Sequence, residues 1–224
     1  GGMMPLLPAG GWAPRAAAAT VLAALLLAAA AGAPPGDLPP LLFVSRQMPR
    51  GPGAGQVPGL GPHGSTLAVG GRLQLRERGG AVRELLPRGA LFDVQDPDVS
   101  WDAKRVVFSG LASPTGHWRL YTLDFAGGAL VPLTGAGADT AAADDIDPCW
   151  NGDEVVFVRR VASERSSYDS SAAGALYACR RGAPARRLLA EVNGVLDPVV
   201  DTRRGTLVYA RWWFNPWLPD GGGG

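Results

Sequence analysis

Short apolar runs, each bounded by polar residues or glycine, recur along the chain after residue 40. The clearest are Val-Val-Phe at 106–108 and 155–157 and Leu-Val-Tyr at 207–209. Their apolar residues are consecutive rather than alternating, which is typical of strands covered on both faces. Helical periodicity is weak after residue 33. The pattern therefore predicts an all-β fold and disfavours helical solenoids and doubly wound α/β folds.

An Asp-Pro pair precedes each of these runs, at Asp96, Asp147 and Asp197, so the chain repeats about every 50 residues. Each of the first two runs is followed by a strand, a turn and another strand, and residues 41–46 and 70–86 have the same order without the Asp-Pro pair. Four short strands per repeat, joined by Gly and Asp turns, predict the blade of a β-propeller.

The repeat predicts a propeller segment at 34–220, followed by a glycine tail at 221–224. Its units fall at about 37–95, 96–146, 147–196 and 197–220. We therefore expect a partial β-propeller of about three four-stranded blades and the start of a fourth. Three complete blades cannot close a ring, since propellers close with about four to eight. An N-terminal fragment of a larger protein is the expectation; a small four-bladed domain and a dimer that completes the ring are the alternatives.

The N-terminus has the pattern of a secretory signal peptide over residues 1–33. An uncharged apolar run at 16–33 follows Arg15, and small residues suit cleavage after Ala31 or Ala33. An uncleaved membrane anchor is the alternative. The pattern predicts a signal helix and a secreted or periplasmic protein with no membrane contact after cleavage.

Composition and motifs limit which partners and which reactions are expected. The chain is 46% hydrophobic and 18% charged, with a formal net charge of +1 and scattered basic residues, so nucleic acid is not expected as a partner. It has no C-x-x-C-H haem-attachment motif and no G-x-S-x-G nucleophile elbow. The sequence therefore assigns no catalytic, cofactor-binding or metal-binding residue, and whether the protein is an enzyme stays open.

The repeats resemble those of TolB-like β-propellers, in which Asp-Pro, an aromatic residue and Ser-Pro-Asp-Gly precede an apolar strand. In the first full unit Asp96, Pro97, Ser100 and Asp102 match, and Ala103 replaces the glycine. Because that glycine supplies a positive φ, which alanine adopts at a cost, we expect a different turn here. The second unit has Asn151-Gly152, typical of a tight hairpin, and Gly205 closes the turn of the third.

A narrower resemblance covers residues 41–215. The stretches "LLFVSRQMPR", "DVQDPDVSWDAKRVVFSGL" and "LVYARWW" are similar to the propeller portion of hydrazine synthase alpha subunit-like proteins. This resemblance implies export, and it implies later domains that bind c-type haem, whose attachment motif does not occur in this sequence. The expected role is a binding or docking platform for a protein or for downstream domains of the same chain. The alternative is the propeller part of a haem-containing oxidoreductase.

Several polar residues are candidates for contacts. Asp139, Asp144, Asp145 and Asp147 have oxygen ligands suited to Ca²⁺, although a loop whose Asp side chains cap backbone N–H groups is the favoured interpretation. His63 is expected in a loop, and His117 at the start of a strand. The repeated Asp-Pro pairs are interpreted as a common structural turn.

Two cysteines and a tryptophan-rich stretch complete the candidates. Cys149 and Cys179 fall on the first and third strands of one unit, too far apart for a disulfide, so buried free thiols are expected. In "YARWWFNPW", Ala210 to Trp213 end a central strand, and Trp212 and Trp213 point to opposite faces. For these two tryptophans, core packing and contact with a later domain both stay open as predictions. The candidate partner contacts are His63, Asp144, Asp145, Arg211, Trp212, Trp213 and Asn215.

Overall fold

The computed structural model of the chain describes residues 38–46, 70–135, 142–167, 170–211 and 213. All the regular elements in these ranges are β-strands, so the all-β prediction is confirmed. Over the same residues there is no helix with the length and apolar character needed to cross a bilayer. The predicted signal segment at 1–33 and the glycine tail lie outside the described residues.

The chain divides into two compact units. Residues 1–40 and 77–81 form the first, of which the structure describes residues 38–40 and a turn closed by a 2.8 Å hydrogen bond from the Glu77 amide to the Ala81 carbonyl. Residues 41–76 and 82–224 form the second, which contains every described strand.

The strands form four antiparallel sheets, numbered here in chain order. Sheet 1 contains β1 (Leu41–Ser45), β2 (Arg72–Arg76) and β3 (Val82–Glu84). Sheet 2 contains β4 (Asp93–Val99), β5 (Arg105–Leu111), β6 (Trp118–Asp124) and β7 (Val131–Pro132). Sheet 3 contains β8 (Ala143–Asn151), β9 (Glu154–Arg165), β10 (Ala172–Cys179) and β11 (Arg186–Ala190). Sheet 4 contains β12 (Val195–Asp201) and β13 (Thr206–Arg211).

The registers confirm the alignment of the repeats. The three apolar runs begin opposite Val99, Trp150 and Val200, through the pairs Val99↔Val106, Trp150↔Val155 and Val200↔Leu207. Each run is therefore the second strand of its sheet. Sheets 2 and 3 have all four strands, sheet 1 has the equivalents of the second, third and fourth, and sheet 4 has the first and second.

The second strands alternate between two packing partners, because successive side chains point to opposite faces. In sheet 2, Val106 and Phe108 pack towards sheet 1, whereas Val107 packs towards sheet 3. In sheet 3, Val155 and Phe157 pack towards sheet 2, whereas Val156 and Val158 pack towards sheet 4. Three hydrophobic clusters thus join the four sheets in sequence, and the consecutive apolar residues are explained by burial on both faces.

The turn at Ala103 differs from the expectation. Ala103 has a φ of 55°, the left-handed conformation that the family glycine supplies, so the expected change of turn type is wrong. The Ser100 hydroxyl donates to the Asp102 carboxylate at 2.6 Å and accepts the Arg105 amide at 2.9 Å. Asp102 also accepts the Lys104 amide at 3.1 Å. These bonds hold the turn in shape although alanine is strained there.

A tight hairpin forms in the second unit as predicted, but its loop lies one residue later than Asn151-Gly152, and the third turn is closed by Gly205 as predicted. Asn151 pairs with Glu154, so the hairpin loop is Gly152-Asp153, and Gly152 has a φ of 63° at its first central position. A two-residue hairpin commonly has glycine there. Asp201 pairs with Thr206, and Gly205, with a φ of 64°, closes the turn between them.

Both cysteines are buried and free, as predicted. Cys149 lies in the cluster between sheets 3 and 4, whereas Cys179 lies in the cluster between sheets 2 and 3. Burial raises the pKa of each thiol to about 12. Neither thiol is therefore a reactive nucleophile at neutral pH.

Candidate functional site

The three Asp-Pro pairs lie inside strands rather than in turns, which corrects their interpretation as a common turn. Asp96, Asp147 and Asp197 have φ values of 50°, 49° and 48°, in the left-handed region that aspartate tolerates better than most residues. At each pair the register of the first strand shifts against the second. Each pair therefore forms a β-bulge, a feature that redirects side chains out of the ladder.

The three bulges meet at one cavity of about 330 Å³, here named the Asp-Pro cavity. The Asp197 amide donates a hydrogen bond of 3.4 Å to the carboxylate of Asp147, and the side chains of Asp147 and Asp96 are hydrogen-bonded to each other. Equivalent residues of three consecutive sheets are thus brought together.

Electrostatics in the cavity favour one shared proton. The pKa of Asp96 is raised to about 8, mainly because burial removes water from its carboxyl group. The charge and hydrogen bond of Asp147 and the charge of Asp197 raise it further, whereas the positive charge of Arg46 lowers it by a smaller amount. Burial also raises the pKa of Asp147, whose hydrogen bond with Asp96 acts in the opposite direction. Asp96 therefore keeps its proton at neutral pH and donates it to Asp147.

Of these three carboxylates the sequence singled out only Asp147, in a candidate Ca²⁺ group for which a loop was favoured, although the repeat contained a signal for all three. Residues at the same point of a repeat occupy equivalent places in successive sheets, so equivalent first-strand residues are expected to converge. Within the described ranges, no group of three or more His, Cys, Asp or Glu side chains is positioned to hold a metal ion. Asp139 lies outside those ranges.

Asp144 and Asp145 lie on β8, not in the expected loop. Asp144 accepts the Trp118 amide at 3.0 Å and contacts the Nδ1 atom of His117 at 3.0 Å, and His117 directly precedes β6 as predicted. The Gly71 amide donates to Asp93 at 2.8 Å in the same way, one repeat earlier. This bond is therefore a repeated connection between adjacent sheets.

Asp145 is fully buried and forms a bidentate ion pair with Arg159, at 2.6 and 2.9 Å. The guanidinium also lies 4.9 Å from the ring centroid of Tyr177 and 5.3 Å from that of Phe157. This arrangement uses both carboxylate oxygens of Asp145 and leaves its side chain inaccessible to a partner in this conformation.

The clearest exposed feature is one face of sheet 4, here named the open face. Val208 is 58% exposed, whereas the equivalent residues Val107 and Val156 are 0% and 2% exposed. Beside it on β12, Val199 is 60% exposed, and its equivalent in sheet 3, Cys149, is 7% exposed. The opposite face of sheet 4, with Leu207 and Tyr209, packs against sheet 3. Sheet 4 is therefore covered on one face only within the described part of the chain.

Polar and aromatic groups lie at the end of β13 and just beyond it; Tyr209 and Arg211 are on the face opposite the open face. Arg211 is paired with Glu191 at 3.4 Å, and Glu191 also accepts the hydroxyl of Tyr209 at 3.1 Å. Trp213 is 48% exposed, so it does not have the core packing that was one of its two expectations. The remaining candidate contacts, His63, Trp212 and Asn215, lie outside the described residues.

No family model matches the chain, and no curated protein matches it. Its fold is similar to that of hydrazine synthase from Kuenenia stuttgartiensis, with a TM-score of 0.56 and 14% identity over 67% of this chain. This chain spans about a quarter of that chain's length, 25%.

Two TolB structures are also similar. For a putative TolB from Agrobacterium tumefaciens the TM-score is 0.41, with 19% identity over 54% of this chain and 42% of that one. For TolB from Acinetobacter baumannii the TM-score is 0.40, with 15% identity over 57% of this chain and 29% of that one. The structural resemblance to hydrazine synthase that the repeats predict is thus confirmed, at the level of the fold.

Proposed function

We propose that this chain is a propeller-type docking platform, which binds a further β-sheet through the open face of sheet 4. The three-stranded sheet 1, the four-stranded sheets 2 and 3 and the two strands of sheet 4 form the platform, and the open face is the contact surface. The single observation that carries the proposal is the exposure of Val208, at a position where both equivalent valines are buried.

The two interfaces already present in the chain indicate what the open face fits. Val107 packs towards sheet 3, and Val156 packs towards sheet 4. The face that covers each valine carries a Val-x-Phe or Leu-x-Tyr pair, at Val155 and Phe157 and at Leu207 and Tyr209. The occupant of the open face is accordingly another antiparallel sheet that presents an aliphatic residue and an aromatic residue two positions apart. Burying the exposed valine side chains under such a surface stabilises the contact by about 25 cal/mol per Å² of apolar surface removed from water.

Sheet 1 of a second copy is a poorer fit. Its side chains at the equivalent positions are Leu41 and Phe43 on β1 but Gln74 and Arg76 on β2. In sheet 2 the corresponding third-strand residues are Tyr121 and Leu123, which pack in the core. A copy docking head to tail would therefore place an amide and a guanidinium beside the valines, at a desolvation cost.

The apolar run and small residues at 16–33 support an exported protein, secreted or periplasmic, with the docked sheet supplied by a separate protein or by downstream domains. The alternative, the propeller part of a haem-containing oxidoreductase with c-type haem in other domains, has only the fold likeness behind it. No residue described above is assigned a catalytic role.

Photo-crosslinking at the open face tests the proposal in the protein as its host produces it. A photoreactive phenylalanine analogue at position 208 is expected to crosslink to a strand with the aliphatic-x-aromatic pattern, identified by peptide mass. The matched control is the same substitution at Val192, a turn residue that is 77% exposed. Crosslinking no stronger than at Val192 would overturn the proposal, and so would a crosslink to a second copy of this chain.

A further inference from the structure

The outer edge of β13 differs from the corresponding edges in the complete sheets. In sheet 2 the edge of β5 pairs with β6, and in sheet 3 the edge of β9 pairs with β10. In sheet 4, β13 pairs with β12, and among the described residues no strand pairs with its other edge. An unpaired edge presents backbone N–H and C=O groups that can hydrogen-bond to an added strand.

We propose that this edge binds an extended peptide strand of another polypeptide by antiparallel β-addition, with the pattern Leu-Tyr-small-Leu or Leu-Tyr-small-Cys. This inference rests on the proposed docking role, and it names the backbone mode and sequence of the partner. Recognition of this kind takes its affinity from main-chain hydrogen bonds and its specificity from alternate side chains.

The pattern follows from the two third strands that the chain already contains. They read Leu-Tyr-Thr-Leu at 120–123 and Leu-Tyr-Ala-Cys at 176–179. In both sheets the tyrosine lies opposite the phenylalanine of the apolar run, through Phe108↔Tyr121 and Phe157↔Tyr177. The ring centroids are 6.1 Å and 6.0 Å apart, within the range of favourable aromatic pairs.

The next residue of each third strand is small. Thr122 lies opposite Val107, and Ala178 lies opposite Val156. Because Val208 occupies the same register position in β13, a threonine or alanine is expected opposite it. A strand added in this register therefore places its tyrosine opposite Tyr209 and its leucine or cysteine opposite Leu207.

Apolar surface for the incoming tyrosine is present on sheet 3. Leu188 and Leu189 of β11 are only partly buried, and they pack against the cluster that Leu207 and Tyr209 also join. In sheet 2, Tyr121 packs against the equivalent cluster between sheets 1 and 2. The incoming side chain thus has an aromatic neighbour across the strand and aliphatic neighbours on the adjacent sheet.

The test uses a synthetic peptide with the β6 sequence, His-Trp-Arg-Leu-Tyr-Thr-Leu-Asp-Phe, added to the full 224-residue chain. The expected result is saturable binding together with slower amide hydrogen exchange in β13 over residues 206–211. A peptide with aspartate in place of the tyrosine is expected to bind at least about tenfold more weakly. A peptide N-methylated along the edge that would pair with β13 is expected not to bind.

Three results would overturn the inference: no binding, binding without protection of β13, or equal binding of the aspartate peptide. Self-association of the chain through paired β13 edges would also overturn it, because the edge would then select a second copy. The two proposals fail separately. Loss of peptide binding with intact crosslinking at Val208 removes only the edge inference, whereas peptide binding without crosslinking removes the proposed occupant of the open face.

Discussion

The backbone amide of Asp197 donates a hydrogen bond of 3.4 Å to the carboxylate of Asp147, its equivalent one repeat earlier. The carboxylate that accepts this bond is also hydrogen-bonded to Asp96, one repeat earlier again. The repeat of the sequence therefore becomes a chain of contacts through three sheets. These contacts couple the stability of the sheets to the protonation of the Asp96 and Asp147 carboxyl groups.

The first prediction concerns the pH dependence of stability. The pKa of Asp96 is raised from 3.8 to about 8 in the folded protein, so folding takes up a proton between those pH values. The unfolded state binds fewer protons there, and stability therefore falls as the pH rises from about 4 to about 8. Thermal unfolding is expected at a lower temperature at pH 8 than at pH 5, by several degrees.

Substitution Asp96→Asn removes this dependence, because an amide can donate to Asp147 without ionising. The variant is expected to be more stable than the wild type at pH 8, with a flatter profile. Asp153→Asn is the matched control, since the Asp153 side chain is 90% exposed, and its profile is expected to follow the wild type. A wild-type protein whose stability rises from pH 5 to pH 8 contradicts the shared proton.

The second prediction concerns the strained turn at Ala103. Glycine adopts its φ of 55° without the clash that alanine has there, so Ala103→Gly is expected to stabilise the fold by about 1 kcal/mol. Gly152→Ala is the opposite change in the equivalent region of the next sheet. The Cβ atom added at position 152 meets no atom within 4 Å, so no steric clash is expected. The expected loss of about 1 kcal/mol of folding stability therefore comes from backbone strain alone. Urea denaturation measures both, and equal signs for the two variants contradict the account.

The third prediction concerns Ser109, which is fully buried and whose hydroxyl has no hydrogen-bond partner among the residues that the structure describes. The equivalent residue of sheet 3 is Val158. Ser109→Ala removes an unsatisfied polar group and is expected to stabilise the fold by about 1 kcal/mol. Ser100→Ala, at an equally buried serine with two hydrogen bonds, is expected to destabilise it by a similar amount. Calorimetric unfolding of the pair distinguishes the satisfied hydroxyl from the unsatisfied one.

The fourth prediction concerns the buried ion pair. Removing the Asp145 carboxylate leaves the Arg159 charge buried and unpaired, so Asp145→Ala is expected to cost about 3–5 kcal/mol. Glu164→Ala breaks an ion pair with Arg187, in which the two side chains are 37% and 43% exposed, and is expected to cost less than about 1 kcal/mol. Chemical denaturation compares the two, and similar losses would show that Asp145 contributes as a surface group does.

The sequence allowed the strands to be predicted because their apolar runs have a simple cause, burial on both faces. Val107 and Val156 could be recognised as core residues from the repeat alone. The turn at Ala103 could not be predicted, because alanine alone avoids a positive φ. Here the hydrogen bonds among Ser100, Asp102 and Arg105 outweigh that preference.

The site was less predictable. The convergence of the Asp-Pro pairs follows from the repeat once equivalent first strands are known to adjoin. The raised pKa of Asp96 depends on its burial and on the neighbouring Asp147 and Asp197 carboxylates, which a pattern does not contain. The open face was hidden for a different reason. Val208 has the same residue type and position as two core valines, and only the absence of a covering sheet in the described structure distinguishes it.

Thiol labelling at the open face is the most direct measurement of the central claim. The native Cys149 and Cys179 are buried, with pKa values raised to about 12, so they are expected to remain silent. Val208→Cys and the control Val192→Cys are compared by maleimide labelling, first in the isolated 224-residue chain and then in the protein as its host produces it. The account predicts rapid labelling of both in the isolated chain, followed by slowing of position 208 by at least about tenfold, with position 192 unchanged, once the further sheet has docked. Equal labelling of position 208 in both preparations would contradict the docking role of sheet 4.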